Sequence, residues 1–266
     1  LYKEASTPFD WHRAIFKRAK KKGLFCFSSV FGNESFKLLE SINAPAYKIA
    51  SFENNHIPLI DKVSKTGKPV IISTGLADFE ELSEIVKIFK KNKNDNFCFL
   101  KCTSNYPASI EDVNLINIIE LQKKFKCAIG LSDHTIDNIA AITSIALGSR
   151  IIEKHVKLNN KLNSLDSAFS LSVDDFKEFV DSVHRAYSSI GTKGKIISKN
   201  EKKSMIFKRS IFISEDIKKG EKLTEKNVKI VRPGHGLHPK YYKKLIGKIA
   251  KKNYSKGYPT NLLMLK

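Results

Sequence analysis

The sequence predicts a parallel α/β barrel followed by a small β-rich domain, on three observations. Short apolar or β-branched runs alternate with helical stretches up to Gly191. Every one of those runs ends in hydroxyl, ammonium, carboxyl or imidazole groups. Beyond Gly191 the alternation stops and turn-rich, strand-like sequence takes over.

The strand-like runs are residues 24–28, 46–51, 70–74, 97–103, 128–131 and 151–155. Helical periodicity fills the intervals: residues 79–89 put Leu82, Ile85, Val86 and Phe89 on one face, and 116–125 and 138–147 follow suit. A strand that must cross back through a helix to the next strand builds a parallel sheet with helices outside. Six such strands would suit an open doubly wound sheet, but that architecture gathers its chemistry at one switch point. Here all six ends are polar: Ser28-Ser29, Lys48 through Glu53, Ser73-Thr74, Thr103-Ser104, Ser132-Asp133-His134, and Glu153 with His155. A (β/α)8 TIM barrel draws its site from many strand ends and needs eight strands over ~250 residues. Residues 1–191 are therefore expected to form a partial barrel lacking its first two βα units. Residues 192–205, polar and lysine-rich, read as a linker. Residues 206–266 read as the small domain, with strand-like runs at 210–214 and 228–231, turns at Lys219-Gly220, Pro233-Gly234 and Lys256-Gly257, and a brief helix at 239–246.

The 266 residues are 41% hydrophobic and 28% charged, the composition of an ordinary soluble globular protein. No run reaches the ~18 apolar residues of a membrane span, so no membrane partner is expected. The opening shows no signal peptide. Cys26, Cys98, Cys102 and Cys127 have no metal-ligand spacing and read as reduced core residues of a cytoplasmic protein. A net charge of +20 raises nucleic-acid binding, but nearly all of the bases are lysine, several on helix backs (Lys87, Lys90, Lys91, Lys93). Arginine forks, the usual grip on phosphates and base edges, are scarce. No nucleic-acid partner is expected; the positive field suits an anionic substrate.

The strongest local motif is Gly130-Leu131-Ser132-Asp133-His134-Thr135 followed by Ile151-Ile152-Glu153-Lys154-His155. Histidines at the ends of consecutive barrel strands can converge, and two imidazoles leave open positions on a divalent metal. A lone histidine would read as an ordinary core or loop residue; the pair favours the metal. Lys48 closes the second run, where an inward lysine binds phosphate or carboxylate or forms a Schiff base, although in a lysine-rich chain it also reads as a surface lysine. Ser73-Thr74-Gly75 forms either an anion site at a helix start or a simple helix cap. Thr103-Ser104-Asn105-Tyr106-Pro107 adds hydroxyls and an amide. In the small domain, Arg232-Pro233-Gly234-His235-Gly236 is a ligand-facing loop or a structural turn.

Together these blocks resemble the sialic acid synthase family, which includes neuraminate, legionaminate and pseudaminate synthases. The resemblance runs through Tyr47-Lys48-Ile49-Ala50-Ser51-Phe52-Glu53, Gly67-Lys68-Pro69, Ser73-Thr74-Gly75, Cys102 through Pro107, the Ser-Asp-His-Thr block and Glu153-Lys154-His155. Ile217-Lys218-Lys219-Gly220-Glu221 and Arg232-Pro233-Gly234 are similar to the family's antifreeze-like (SAF) domain. The resemblance implies a carbon–carbon bond-forming transferase of nonulosonic acid biosynthesis, condensing phosphoenolpyruvate with an amino-sugar aldehyde. It implies a divalent metal on His134 and His155, usually Mn2+, with Mg2+ or Co2+ as other occupants. Phosphoenolpyruvate is expected at Lys48, Ser51, Ser73, Ser104 and Ser132, and Glu53, Tyr106 and Asp166 near the sugar or the metal-bound water. Arg232 matches an arginine that the partner chain's SAF domain supplies, which implies a domain-swapped homodimer. The pseudaminate branch is the most similar: the opening Leu1-Tyr2-Lys3-Glu4-Ala5, Leu100-Lys101-Cys102-Thr103-Ser104 and Gly236-Leu237-His238-Pro239-Lys240 all point there, whereas Thr135-Ile136-Asp137-Asn138 departs from the family's Thr-Leu-Gly. A neuraminate or legionaminate synthase, and an inactive fragment that keeps dimerisation, are the alternatives. The family's Glu-Ile-Gly-x-Asn-His-x-Gly and Lys-x-Gln strands have no counterpart, in keeping with the two strands that the count lacks.

Overall fold

The computed structural model describes residues 6–161, 164–194 and 196–265; the Leu1–Ala5 motif lies outside them. Two compact units divide the chain, Leu1–Gly191 and Thr192–Lys266.

The first unit is a six-stranded parallel sheet in which strand order equals chain order. Its strands are β1 (Ser28–Ser29), β2 (Tyr47–Ile49), β3 (Val70–Ser73), β4 (Phe97–Cys102), β5 (Ala128–Asp133) and β6 (Ile152–Lys154). The helices are α1 (Phe9–Lys21) ahead of β1, α2 (Asn33–Ser41), α3 (Ile57–Ser64), α4 (Phe79–Lys91), α5 (Asn117–Phe125), α6 (Ile139–Ala146) and α7 (Val173–Ile190). With no reversal of order there is no switch point, and crossovers of one hand place α2 to α6 on one face. Two short parallel strands, β7 (Val156–Lys157) and β8 (Leu171–Ser172), lead into α7.

Strand alternation divides the residues between the two faces. Tyr47, Ile49, Val70, Ile72, Phe99 and Ile129 are fully buried against Leu39, Ile60, Ile85, Phe89 and Ile118 of the helices. Residues of the other parity, among them Lys48, Ser73, Cys102, Ser132 and Glu153, face the opposite side. Lys48 Nζ on β2 lies 3.6 Å from Glu153 Oε1 on β6, although four strand spacings in a flat sheet would separate those strands by about 19 Å. The sheet therefore curls into a barrel arc whose hollow holds these polar groups. An apolar cavity of about 630 Å³, lined by Phe27, Ile71, Leu100, Phe179 and Val183, lies on the same concave side.

The elements follow from local sequence. Asp78 caps α4 by accepting the Glu80 and Glu81 N–H groups, while the Glu81 side chain returns to the Asp78 N–H. Ser172 caps α7 through the Asp175 N–H. Residues 24–28 are a departure from expectation: only Ser28–Ser29 pair, and Phe25 is 90% exposed. As an edge strand, β1 has β2 alone as neighbour, so its first residues gain no ladder bonds.

In the second unit, β9 (Ser210–Ile213) and β10 (Val228–Val231) pair antiparallel over a core of Ile211, Ile213, Ile217, Leu223, Val228 and Leu245. A 3-10 turn at Pro239–Tyr241 runs into the short helix α8 (Tyr242–Leu245), and another 3-10 turn spans Glu201–Phe207. Among the described residues no helix is long and apolar enough to cross a membrane.

Candidate active site

The C-terminal rim of the arc gathers the expected residues other than Glu53 and Arg232 into three touching groups. In the first, Lys48 Nζ donates to Ser73 Oγ at 2.7 Å and lies beside Glu153, whose Oε1 also accepts from Ser132 Oγ at 2.6 Å. One ammonium, two hydroxyls and one carboxylate from β2, β3, β5 and β6 thus meet across the hollow. Lys48, Ser73 and Ser132 are all buried.

The second group lies one step further up the strands. Ser51 Oγ is 3.3 Å from Cys102 Sγ, and Cys102 Sγ is 4.0 Å from both Ser104 Oγ and His134 Nδ1. Gly75 sits between the two serines: a Cβ there would overlap Ser104 Oγ and lie 2.7 Å from Ser51 Oγ. Its carbonyl and that of Ser73 accept from Asn54 Nδ2 at 3.1 and 3.3 Å, which fixes this loop against the turn after β2. Burial raises the Cys102 thiol, yet hydrogen bonds from His134 and Ser51 bring it below the ordinary thiol value. Cys102 is thus not an inert core thiol, as its apolar run suggests, but part of the rim.

The third group is aromatic. The His134 and His155 rings lie 5.3 Å apart, with Tyr106 4.4 Å from His134 and Phe169 4.8 Å from His155. His134 Nδ1 is 2.9 Å from the Thr103 carbonyl, an acceptor that only an Nδ1–H satisfies. His155 Nδ1 is 3.3 Å from Asp166 Oδ2. In the neutral form of each ring Nε2 is thereby the nitrogen without a proton, as in metal-binding imidazoles whose other nitrogen is held by an acceptor. Burial lowers the His134 pKa, yet hydrogen bonds to Cys102 and the Thr103 carbonyl bring it above the ordinary histidine value. Burial lowers the His155 pKa despite the opposing pull of Asp166. Among the described residues no group of three or more His, Cys, Asp or Glu is arranged to hold a metal. The nitrogen donors that the rim brings together are the two imidazoles of His134 and His155.

Glu53 stands apart from these groups: no hydrogen bond joins it to the other candidates. Its Oε2 is buried without a partner, and desolvation raises its pKa against the opposing effect of Lys48. Arg232 belongs to the second unit, where it is exposed and has no hydrogen bond or ion pair among the described residues. Its loop is pinned by Ser210 Oγ, which donates to the Pro233 carbonyl and accepts from the Gly236 N–H.

Sequence reasoning missed the work of Glu153, Asn54 and the Asp133–Lys154 pair. Asp133 and Lys154 face the helix side, 2.8 Å apart with both side chains 1% exposed. Lys154 Nζ also bonds the Thr135 carbonyl, and Asp133 Oδ1 takes the Thr135 N–H at 2.9 Å. This pin ties the ends of β5 and β6, the strands that carry His134 and His155. Lys154→Met would leave Asp133 buried and uncompensated, so a loss of about 3–5 kcal/mol is expected. Thermal unfolding should show it as a midpoint lowered by about 6–20 °C; an unchanged midpoint would refute the pin.

The NeuB family model matches residues 1–195 and the SAF domain model residues 208–259. The chain is 47% identical over 257 residues to the pseudaminic acid synthase of Campylobacter jejuni subsp. jejuni serotype O:2, covering 97% of this chain and 75% of that protein. To the pseudaminic acid synthase of Helicobacter pylori it is 44% identical over 253 residues, 95% of this chain and 74% of that protein. Among solved structures, the N-acetylneuraminic acid synthetase of Leptospira borgpetersenii serovar Hardjo-bovis superposes with a TM-score of 0.72 at 29% identity, over 76% of this chain and 71% of that one.

Proposed function

The chain belongs to the NeuB family, and on that premise we propose that it condenses phosphoenolpyruvate with a 2,4-diacetamido-2,4,6-trideoxy-hexose to give pseudaminic acid and phosphate. It is a phosphoenolpyruvate-dependent nonulosonic acid synthase, a transferase. The observation that carries the reading is the meeting of Lys48, Ser73, Ser132 and Glu153 in the hollow, directly beneath the His134–His155 pair. The 47% identity to a pseudaminic acid synthase supports the branch.

Carbon 3 of phosphoenolpyruvate forms the new bond to the aldehyde carbon, water adds at carbon 2, and phosphate leaves. Lys48 Nζ with Ser73 Oγ supplies a cation and a hydroxyl for phosphate or carboxylate, and Ser51 and Ser104 add hydroxyls where Gly75 leaves room. Ser132 is oriented by Glu153. A divalent cation, manganese in this reading, on Nε2 of His134 and His155 would polarise the aldehyde carbonyl as a Lewis acid. The aldehyde oxygen gains a proton and the added water loses one. In this reading Glu53, whose burial favours its protonated form, would hold such a proton on its unpartnered Oε2, with Asp166 as a second carboxyl near His155. Tyr106 shapes the sugar side beside His134.

We read the arc as six strands of an eight-stranded barrel, on the strength of its curl and its two unpaired edges. Residues 192–205 are the linker and 206–266 the SAF domain in this plan. Arg232, unpartnered on a pinned loop, suits a ligand in a partner chain's barrel, which makes the working unit a swapped homodimer. Inorganic phosphate release from phosphoenolpyruvate decides the branch. Release with 2,4-diacetamido-2,4,6-trideoxy-L-altrose is expected. Release only with N-acetylmannosamine would reassign the chain to the neuraminate branch, and phosphoenolpyruvate binding without release from either sugar would favour a binding module.

A further inference from the structure

Among the described residues of the first unit, Lys48, Lys101 and Lys154 bury their side chains, and two of them have carboxylate partners: Lys48 with Glu153, and Lys154 with Asp133. The third, Lys101, is 8% exposed and has no carboxylate partner among the described residues. It sits near the end of β4 with helix-side parity, in a pocket of about 280 Å³ lined by Leu76, Phe79, Leu82, Asn117 and Leu121. Its ammonium donates to the Thr103 hydroxyl at 2.8 Å and the Cys102 carbonyl at 3.3 Å. Burial pulls its pKa below the ordinary lysine value, which measures how poorly the surroundings compensate the charge. An apolar residue of the same length would cost less here. The pocket is also no anion site, because the Asp78 carboxylate lines it and already takes the Glu80 and Glu81 N–H groups.

The partner of Lys101 explains its presence. Thr103 accepts from Lys101 on its hydroxyl, donates that hydroxyl to the Asp112 carbonyl at 3.3 Å, and turns its own carbonyl to His134 Nδ1 at 2.9 Å. Five residues on, the Ala108 N–H donates to the His134 carbonyl at 2.9 Å. The segment after β4 therefore grips His134 at two points, and Lys101 fastens the first of them. We propose that Lys101 is a positioning residue for His134: by holding Thr103 it fixes the Thr103 carbonyl on Nδ1–H and so presents Nε2 as the free nitrogen. The metal arm of this inference rests on the reading of His134 given above; the tautomer arm does not.

The test uses the full chain, stripped of metal and 15N-labelled at histidine, with Lys101→Met and Thr103→Val. In the parent, long-range 1H–15N spectra should show His134 protonated at Nδ1. Both variants should shift population toward the Nε2–H form. They should also weaken Co2+ binding, followed by visible absorption, by about 10- to 100-fold, the usual effect of losing an outer partner of a ligating histidine. Lys101→Met should melt at the same temperature as the parent or higher, which a merely structural lysine would not do. The double variant should bind Co2+ no more weakly than the worse single variant, since both break one chain of contacts. An unchanged tautomer and an unchanged Co2+ affinity in Lys101→Met would overturn the proposal. Should Lys101→Met not fold, the near-isosteric Thr103→Val decides by the same two readings. If the parent binds no Co2+, the metal reading of His134 fails, and the tautomer shift alone still decides the role of Lys101.

Discussion

Replacing His134 and His155 together with alanine is expected to abolish stoichiometric binding of Mn2+ or Co2+ and to lower phosphate release by on the order of a thousandfold or more. The two rings are 5.3 Å apart, and each has Nδ1 committed to an acceptor, the Thr103 carbonyl for His134 and Asp166 for His155. Their Nε2 lone pairs are the donors that the proposed cation would use. Lewis-acid polarisation of a carbonyl contributes several kcal/mol of transition-state stabilisation, and each 1.36 kcal/mol is tenfold in rate. Loss of that contribution sets the scale of the expected fall. A single replacement leaves one nitrogen donor and should give weakened, not absent, binding. Because Phe169 and Tyr106 pack on the rings, a melting curve must accompany the titration to separate lost ligation from lost packing. Undiminished metal content in the folded double variant would remove the metal from these two residues.

Much of this architecture was legible in the sequence, because strand periodicity and strand-end chemistry are local properties. The 79–89 periodicity extends in the structure to Phe79–Lys91 since the Asp78–Glu81 capping box and the terminal lysines lie just outside the apolar stripe. The run at 228–231 is β10, residue for residue. Edge effects escape such reading, and they cut β1 to two residues. So does register. That Cys102, Ser132 and Glu153 stand side by side follows from the pairing of β4, β5 and β6, which no single segment encodes. Glu153 therefore reads in sequence as one more polar strand end, although it joins Lys48 to Ser132. Lys101 and Lys154 stand in the sequence only as members of longer motifs in a lysine-rich chain; it is the opposite parity of their strand positions that buries them on the helix side. The same composition that argues against nucleic-acid recognition thus hides the few lysines that matter.

Lys48→Met is expected to weaken phosphoenolpyruvate binding about 30- to 4000-fold, the range that corresponds to 2–5 kcal/mol for truncating one partner of a buried charged contact. The effect should be this large for two reasons that act in the same direction. Lys48 is 7% exposed and supplies the ammonium of the first group, so its removal takes away the cation that an incoming phosphate or carboxylate would meet beside Ser73. Its removal also leaves Glu153 facing the hollow without its compensating charge, and an uncompensated carboxylate there repels a trianionic ligand. Lys48→Arg keeps the charge but not the geometry, since a planar fork cannot place one nitrogen between Ser73 Oγ and Glu153 Oε1 as an ammonium does; it should recover only part of the affinity. Adding Glu153→Gln to Lys48→Met separates the two reasons, because it lifts the repulsion without restoring the cation, and should recover part of the binding. Calorimetric titration with phosphoenolpyruvate measures all four proteins directly. Equal affinity in the parent and in folded Lys48→Met would move the phosphoenolpyruvate site away from this lysine and away from the hollow it faces.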